Sequence, residues 1–197
     1  MISYTESEAK EASLCCYYTD LHALEKYLLN AIENQLTLPD LGRFPQAEAM
    51  IERTAGVLRI HLQRLEAEID LHHVESRAAV KDTMTAMAGF ALGLVSKARE
   101  QHVAKMLRDD ATLLTLAALG YTMLHTTALG LGHAEAATQA LEHLEELTPL
   151  VLEMNRLLPA TVAIDLKTAG FIVDPAAAEQ AQINAKLAWR GLGVAAA

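Results

Sequence analysis

The longest apolar stretch of the chain covers residues 111–131 and contains no Asp, Glu, Lys or Arg. A helix that is apolar on nearly every side leaves no face for water, so this pattern predicts a helix surrounded by other helices. Gly130 and Gly132 stand at its end, where glycine is common. Residues 134–158 then repeat apolar positions at helical spacing. These patterns predict a helical hairpin at the centre of a bundle.

The sequence pattern in the first half of the chain predicts two more helices. Thr19 or Asp20 can cap a first helix that ends near Gln35. A loop rich in Pro and Gly follows at residues 36–46, and Pro45 suits the first position of a second helix that runs to about residue 74. The first helix is defined by Leu21, Leu24, Leu28 and Ile32 at helical spacing, and the second by one face that carries Met50, Thr54, Val57, Leu58, Leu65 and Ile69.

The pattern of the residues that lead to the hairpin predicts a crossover between the two halves of the bundle. Residues 75–107 keep a less regular helical pattern, which indicates one long or broken helix. Asp109 or Asp110 then caps the third core helix.

The last part of the chain predicts a fourth helix and a tail. Pro149 either kinks the fourth helix or starts a new one that Thr148 caps. The inward positions of this helix are Ala137, Ala140, Leu141, Leu144, Leu147 and Val151. After Pro159 an extended stretch precedes a short Ala-rich helix at about residues 175–189. We therefore divide the chain into a polar leader (1–16), a four-helix bundle (17–160) and a C-terminal tail (161–197).

Charge and cysteine usage narrow the possible partners. The formal net charge is −9 and no dense block of Lys and Arg occurs, so we expect neither nucleic acid nor an anionic membrane as a partner. Residues 111–131 are long enough for a membrane span, but five threonines and His125 favour a buried helix. The adjacent Cys15 and Cys16 do not suit an intrachain disulfide. We expect a cytoplasmic protein.

Glu25 and His61 are the first candidates for chemistry, because both fall on apolar stripes where an unsatisfied polar group is costly. Facing Glu and His side chains in a four-helix bundle build di-iron and di-manganese sites. His143 and Glu146 have suitable side chains in the fourth helix, in the reverse of the usual order. A reduced metal site therefore comprises Glu25, His61, His143 and Glu146; the simpler alternative is a satisfied Glu25–His61 pair.

The remaining sequence features give weaker indications of function. His125 could bind haem, a metal or a small ligand, and the alternative is a core histidine bonded to a carbonyl or a threonine. The chain has no Gly-x-Ser-x-Gly, phosphate loop or dinucleotide fingerprint, which argues against the common hydrolases and kinases.

Two passages resemble a known family. LHALEKYLLNAIENQL with HLQRLEAEI, and GYTMLHTTALGLGHAEAATQALEHLEELTPLVLEMNRLL, are similar to bacterial stress-associated ferritin-like proteins of the YciF type. The resemblance implies an all-α, antiparallel four-helix bundle with a crossover helix and an extra C-terminal helix. It also implies a homodimer and a carboxylate-bridged pair of iron or manganese ions.

Position by position, the resemblance places few of the family's ligands in this chain. Glu25 matches the carboxylate of the first helix and His61 a histidine of the second. Apolar residues stand at or near the other ligand positions, namely Val57, Ala117, Leu147 and Leu150. We therefore expect the family's helical framework without its metal centre and without a cofactor.

The expected function is a non-enzymatic structural or interaction protein, associated with stress by family analogy only and with a possible protein partner. The alternative is a metal-binding oxidase or iron-handling protein that uses the reduced ligand set. A third hypothesis is a carrier of a small ligand, with His125 as its polar contact.

Overall fold

Five α-helices form most of the chain that this computed structural model describes, which is residues 6–71 and 102–193. They are α1 (Glu6–Gln35), α2 (Pro45–Leu71), α3 (Val103–Leu131), α4 (Ala134–Thr168) and α5 (Ala177–Gly193), with a 3-10 turn at Leu41–Arg43. No strand occurs in these two ranges, which confirms the all-α class for them. The predicted crossover at residues 75–107 lies largely outside the described residues.

The directions of α1 to α4 follow from the pairs of residues that join them. Between α1 and α2, Glu33 pairs with Arg59, and His22, earlier in α1, pairs with Glu66, later in α2. These two helices are therefore antiparallel. The same reversal of order relates α1 to α3, α3 to α4 and α2 to α4, through the pairs Gln35–Asp110, Glu25–Tyr121, Ala104–Asp165, His125–Ala137, Arg53–Glu153 and Glu68–Gln139.

It follows that α1 and α4 run in one direction and α2 and α3 in the other. The end of α2 at Leu71 and the start of α3 at Val103 therefore lie at opposite ends of the four helices. The four helices share one apolar core. Its largest fully buried side chains include Leu14, Tyr18, Leu28, Ile32, Leu58, Leu65, Leu107, Leu114, Tyr121 and Leu124.

α1 begins at Glu6, so the prediction that the first helix starts at Thr19 or Asp20 is wrong. Leu14 and Tyr18 are fully buried and continue the apolar stripe of α1 towards its N-terminus at helical spacing. This continuation was not recognised in the sequence, because the residues before Leu14 are mainly polar. They belong to the part of α1 that precedes its contacts with the core.

α3 also begins earlier than predicted, at Val103 instead of Asp109 or Asp110. Val103 and Leu107 are buried and add a further turn to its core face. Its predicted end is confirmed. Gly132 caps the helix with a φ of 75°, a left-handed conformation that glycine adopts without strain.

α4 is one helix from Ala134 to Thr168 and contains Pro149 and Pro159. The prediction that Thr148 could cap a new helix is therefore wrong, and residues 162–168 are helical instead of extended. Leu141, predicted to face inward, is exposed. The core face of α4 is instead formed by Ala136, Ala137, Ala140, His143, Leu147, Leu150, Met154 and Thr161.

α3 is not surrounded on all sides, which corrects the prediction from its apolar sequence. Leu119, Met123 and Leu129 are each more than half exposed. By length and composition α3 could cross a membrane, and 33% of its most apolar window is buried. The amphipathic character of this helix was hidden because its outer face carries Leu, Met and Thr in place of charged residues.

A buried polar layer as the candidate functional site

A polar layer lies between the four helices, well inside the apolar core. We define the polar layer by Glu25 of α1, His61 of α2, Tyr121 of α3, and His143 and Glu146 of α4, with Arg64 of α2 at its rim. The side chains of the first four are at most 1% exposed. The four residues predicted as candidate metal ligands are thus brought together in one layer.

Local helix geometry explains why these side chains meet. Glu25 follows Leu21 by four residues and precedes Leu28 by three, so it points along the buried stripe of α1. His61 precedes Leu65 by four residues and points inward from α2 in the same way. Because α1 and α2 are antiparallel neighbours, the two side chains meet in the core.

His61 is the centre of the layer. Its Nδ1 lies 3.2 Å from Glu25 Oε1, and its Nε2 lies 2.7 Å from Glu146 Oε2. Arg64 donates a hydrogen bond to the same Glu146 oxygen at 3.0 Å. The predicted contact between Glu25 and His61 is therefore present, and it involves only one oxygen of the Glu25 carboxylate.

Tyr121 closes the inner side of the layer. Its hydroxyl donates a hydrogen bond of 2.9 Å to Glu25 Oε1, the same oxygen that faces His61. Burial, followed by the negative charge of Glu25, raises the pKa of Tyr121 well above its ordinary value. Tyr121 therefore remains a neutral donor to Glu25.

His143 stacks on His61, with ring centroids 4.0 Å apart, and meets the Tyr121 ring edge-on. Burial, followed by the positive charges of His61 and Arg64, lowers the pKa of His143 to about 3. His143 is thus a neutral imidazole at neutral pH. Neither of its nitrogens has a hydrogen-bond partner among the described residues, and the same is true of Glu25 Oε2.

The charges within the polar layer balance one another. A carboxylate can only accept hydrogen bonds, so both His61 contacts are hydrogen bonds when each ring nitrogen carries a proton. His61 is then a cation. Together with Arg64, it neutralises the negative charges of Glu25 and Glu146. Buried charges persist when they are paired and hydrogen-bonded in this way.

The described residues do not fit a carboxylate-bridged metal pair. Such a centre needs several carboxylates and histidines that converge on the ions. The two nitrogens of His61 face different carboxylates across different edges of the ring, which holds Glu25 and Glu146 apart. No three Asp, Glu, His or Cys side chains in residues 9–71 and 102–188 are placed to hold one ion.

Sequence reasoning missed Tyr121. The resemblance to ferritin-like proteins places the ligand of the third helix at or near Ala117, one turn earlier, whereas this helix contributes to the layer through Tyr121. A signal was present, because Tyr121 is a large residue with a polar end in an apolar helix, and a buried tyrosine hydroxyl usually finds a partner.

A second buried polar pair joins α1 and α3. Gln35 Nε2 donates to Asp110 Oδ1 at 2.9 Å, and Asp110 is 1% exposed. Burial raises the pKa of Asp110 to about 7, against the lowering effect of the Gln35 hydrogen bond. The sequence predicts Asp109 or Asp110 as the cap of this helix, whereas Asp110 lies inside α3.

The other candidate residues have ordinary structural roles. His125 Nδ1 lies 2.7 Å from the carbonyl oxygen of Ala137, which confirms the alternative of a histidine bonded to a carbonyl. Cys15 and Cys16 form no disulfide. A cavity of about 510 Å³ lies among α2, α4 and α5. Its lining includes Arg53 and Glu153 but not His125, so it does not support the proposed carrier site.

Comparisons with models of protein families, with curated proteins and with solved structures find no match to this chain.

Proposed function

We propose that this chain is a ferritin-like four-helix protein without enzymatic activity, in which the polar layer stabilises the interior and the outer helix faces bind a partner. The observation that carries the proposal is the double engagement of His61. Both of its nitrogens face carboxylates at hydrogen-bonding distance, so His61 has no nitrogen free for a metal or a substrate.

The directions of the helices support a ferritin-like arrangement. In such a fold the second and third helices are parallel and a long connection runs between opposite ends of the bundle. Here α2 and α3 are parallel, and Leu71 and Val103 lie at opposite ends. The predicted association with stress responses rests on the family resemblance alone.

The alternative is a metal-binding oxidase or iron-handling protein that uses Glu25, His61, His143 and Glu146. One observation favours it: Glu25 Oε2 and both nitrogens of His143 lack partners among the described residues. A bound ion or water would satisfy such atoms.

Metal content distinguishes the two proposals. The untagged protein is expressed in medium supplemented with iron and manganese, beside the double variant Glu25→Ala/His61→Ala. The matched control is Glu33→Ala/Arg59→Ala, which removes an exposed pair between the same two helices. We expect the same trace metal content in all three proteins.

About two metal ions per chain, the stoichiometry of a ferritin-like centre, lost only in the Glu25/His61 variant, would overturn the proposal in favour of the oxidase. The Glu25→Gln/His61→Gln variant provides the same comparison if the alanine variant does not fold.

A further inference from the structure

The buried pair of Gln35 and Asp110 joins the last residue of α1 to α3. Asp110 is 1% exposed, and its Oδ1 accepts a hydrogen bond of 2.9 Å from Gln35 Nε2. The second oxygen of each side chain, Asp110 Oδ2 and Gln35 Oε1, is buried and has no donor among the described residues. Two acceptor atoms of one hydrogen-bonded pair are therefore unsatisfied.

A single proton on Asp110 would satisfy both atoms. An ionised carboxylate only accepts hydrogen bonds, whereas a carboxylic acid also donates one. A carboxylic acid and a primary amide can pair through two hydrogen bonds, one from the amide N–H to the acid and one from the acid O–H to the amide oxygen. In this pair the first bond is present, and a proton on Asp110 Oδ2 would supply the second.

The surroundings of Asp110 disfavour its charge. Its partner Gln35 is neutral and is the last residue of α1, where the helix dipole presents its negative end. Burial raises the pKa of Asp110 to about 7, against the lowering effect of the Gln35 hydrogen bond, and the charge of Asp109 adds to the increase. Two oxygens left unpaired in the interior add a further cost to ionisation.

Charged groups at this end of the four helices have other partners. Asp109 is bonded by Arg108, and its charge, after burial, contributes to the raised pKa of Tyr27 on α1. The other partnered groups are Glu33 of α1 with Arg59, Asp40 with Arg43 before α2, Glu153 of α4 with Arg53 and Arg156, and Asp165 of α4 with the N–H of Ala104. Among the described residues, Gln35 is therefore the one side chain that bonds Asp110.

We infer that Asp110 is a proton-dependent lock: its protonated carboxyl donates a hydrogen bond to Gln35 Oε1 and holds the end of α1 on α3. Loss of the proton leaves two oxygens unpaired and loosens this contact. The next hydrogen bond between α1 and α3 among the described residues joins Tyr121 to Glu25, about three helical turns earlier on α1. The lock is independent of the proposed function.

The end of α1 leads directly into the connection to α2. The backbone N–H of Leu38 bonds the carbonyl oxygen of Gln35, and Leu41 and Phe44 of the connection are buried in the shared core. A looser Gln35 therefore also loosens this connection. The segment that the lock controls comprises residues 32–44 and the neighbouring turns of α3.

Hydrogen exchange of backbone amides tests the lock. The pKa of Asp110 is raised from 3.8 to about 7, so opening that exposes Asp110 should become up to about fiftyfold more frequent between pH 5 and pH 7. We expect this increase at residues 32–44, corrected for intrinsic exchange, relative to Asp110→Asn. The Asn amide can form the same two bonds with Gln35 and does not titrate.

The turn between α3 and α4, residues 129–136, is the internal control. It lies at the other end of α3 and should open independently of Asp110. The same pH-dependent ratio at both ends would indicate a change in global stability and would overturn the lock. An unchanged ratio at residues 32–44 would overturn it as well.

A second variant separates the hydrogen bonds from the loss of charge. Asp110→Leu carries no charge and cannot bond Gln35. It should therefore remove the pH dependence but leave exchange at residues 32–44 about tenfold faster than in Asp110→Asn, because the buried amide of Gln35 has lost its partner. Equal protection in the two variants would contradict a lock made of hydrogen bonds.

Carbon NMR of protein labelled at the aspartate carboxyls locates the proton directly. With Asp110→Asn as the assignment, we expect Asp110 to titrate with a pKa of about 7 and the side-chain amide of Gln35 to shift with the same midpoint. An Asp110 that is ionised at pH 5, or a Gln35 amide that ignores its titration, would overturn the inference. Neither result involves the metal content, so a failure here is distinct from a failure of the proposed function.

Discussion

His61 and His143 stack ring on ring, with centroids 4.0 Å apart and planes 13° from parallel. The two imidazoles have different environments. His61 is flanked by Glu25 and Glu146, whereas His143 has no carboxylate at hydrogen-bonding distance among the described residues. A neutral ring lying on a cationic one avoids the repulsion of two adjacent cations. This difference makes the polar layer sensitive to acid.

We predict that His143→Phe makes stability less dependent on pH on the acid side. The pKa of His143 is lowered from 6.5 to about 3 by burial first, then by His61 and Arg64. Between these values the unfolded chain binds the extra proton, so His143 stability is present above pH 6.5 and is lost as pH falls towards 3. Phenylalanine cannot take up this proton.

Urea unfolding at several pH values from 7 to 4 measures the effect. The slope of unfolding free energy against pH should fall in His143→Phe by up to about 1.4 kcal/mol per pH unit. Only slopes are compared, so a constant difference caused by the larger ring does not matter. Parallel curves for the two proteins would contradict the prediction.

Asp110→Asn should stabilise the protein at neutral and higher pH. Burial raises the pKa of Asp110 from 3.8 to about 7, so the folded state binds the extra proton between these values. Its contribution to stability is therefore complete below pH 3.8 and is lost as pH rises through 7. The Asn variant should gain on the wild type by up to about 1.4 kcal/mol per pH unit in this window.

The same unfolding series tests this prediction, with Asp109→Asn as the control at a more exposed neighbour. A gain in both variants alike would indicate a general charge effect and contradict the role of burial. Between pH 3.8 and 6.5, Asp110 lowers the unfolding free energy as pH rises, whereas His143 raises it. Replacing one of the two residues should therefore reveal the pH dependence of the unfolding free energy that the other causes.

Tyr121→Phe should cost about 1–3 kcal/mol of stability, because it removes a buried hydrogen bond to Glu25. If the bond acts as described, the loss depends on Glu25. A double-mutant cycle with Glu25→Gln, followed by urea unfolding, should give a coupling of at least about 0.5 kcal/mol. Strict additivity would show that the two side chains do not interact.

Two glycines should respond differently to alanine. No described atom lies within 4 Å of a Cβ placed on Gly56, so Gly56→Ala should gain about 1 kcal/mol from helix propensity. A Cβ on Gly120 would lie 2.8 Å from Leu21 Cδ2, where α1 and α3 approach closely. Gly120→Ala should gain less or lose stability. Equal increases in melting temperature would contradict the close approach.

Much of the fold could be predicted from periodicity, because stripes such as Leu21–Leu28 and Met50–Leu65 carry a strong signal. Helix starts were harder to place. Leu14 and Val103 belong to the core, but polar neighbours separate them from the main stripes. The exposed face of α3 could not be predicted, because a helix face made of threonines and leucines can be either buried or exposed.

The candidate site shows the same division. Glu25 and His61 could be found because a charged and a titratable residue on apolar stripes need partners. Tyr121 was missed because a tyrosine in an apolar helix looks like ordinary core. The raised pKa of Asp110 depends on its depth in the core, which local sequence does not encode.

The protonation state of His61 tests the central claim, that His61 bridges Glu25 and Glu146 and binds no metal. Nitrogen NMR of the histidine-labelled protein at pH 6, assigned with His61→Gln and His143→Phe, would be recorded with and without added zinc. We predict protons on both ring nitrogens of His61, on one nitrogen of His143, and no change with zinc. A His61 nitrogen that lacks a proton and shifts on addition of zinc would contradict the account.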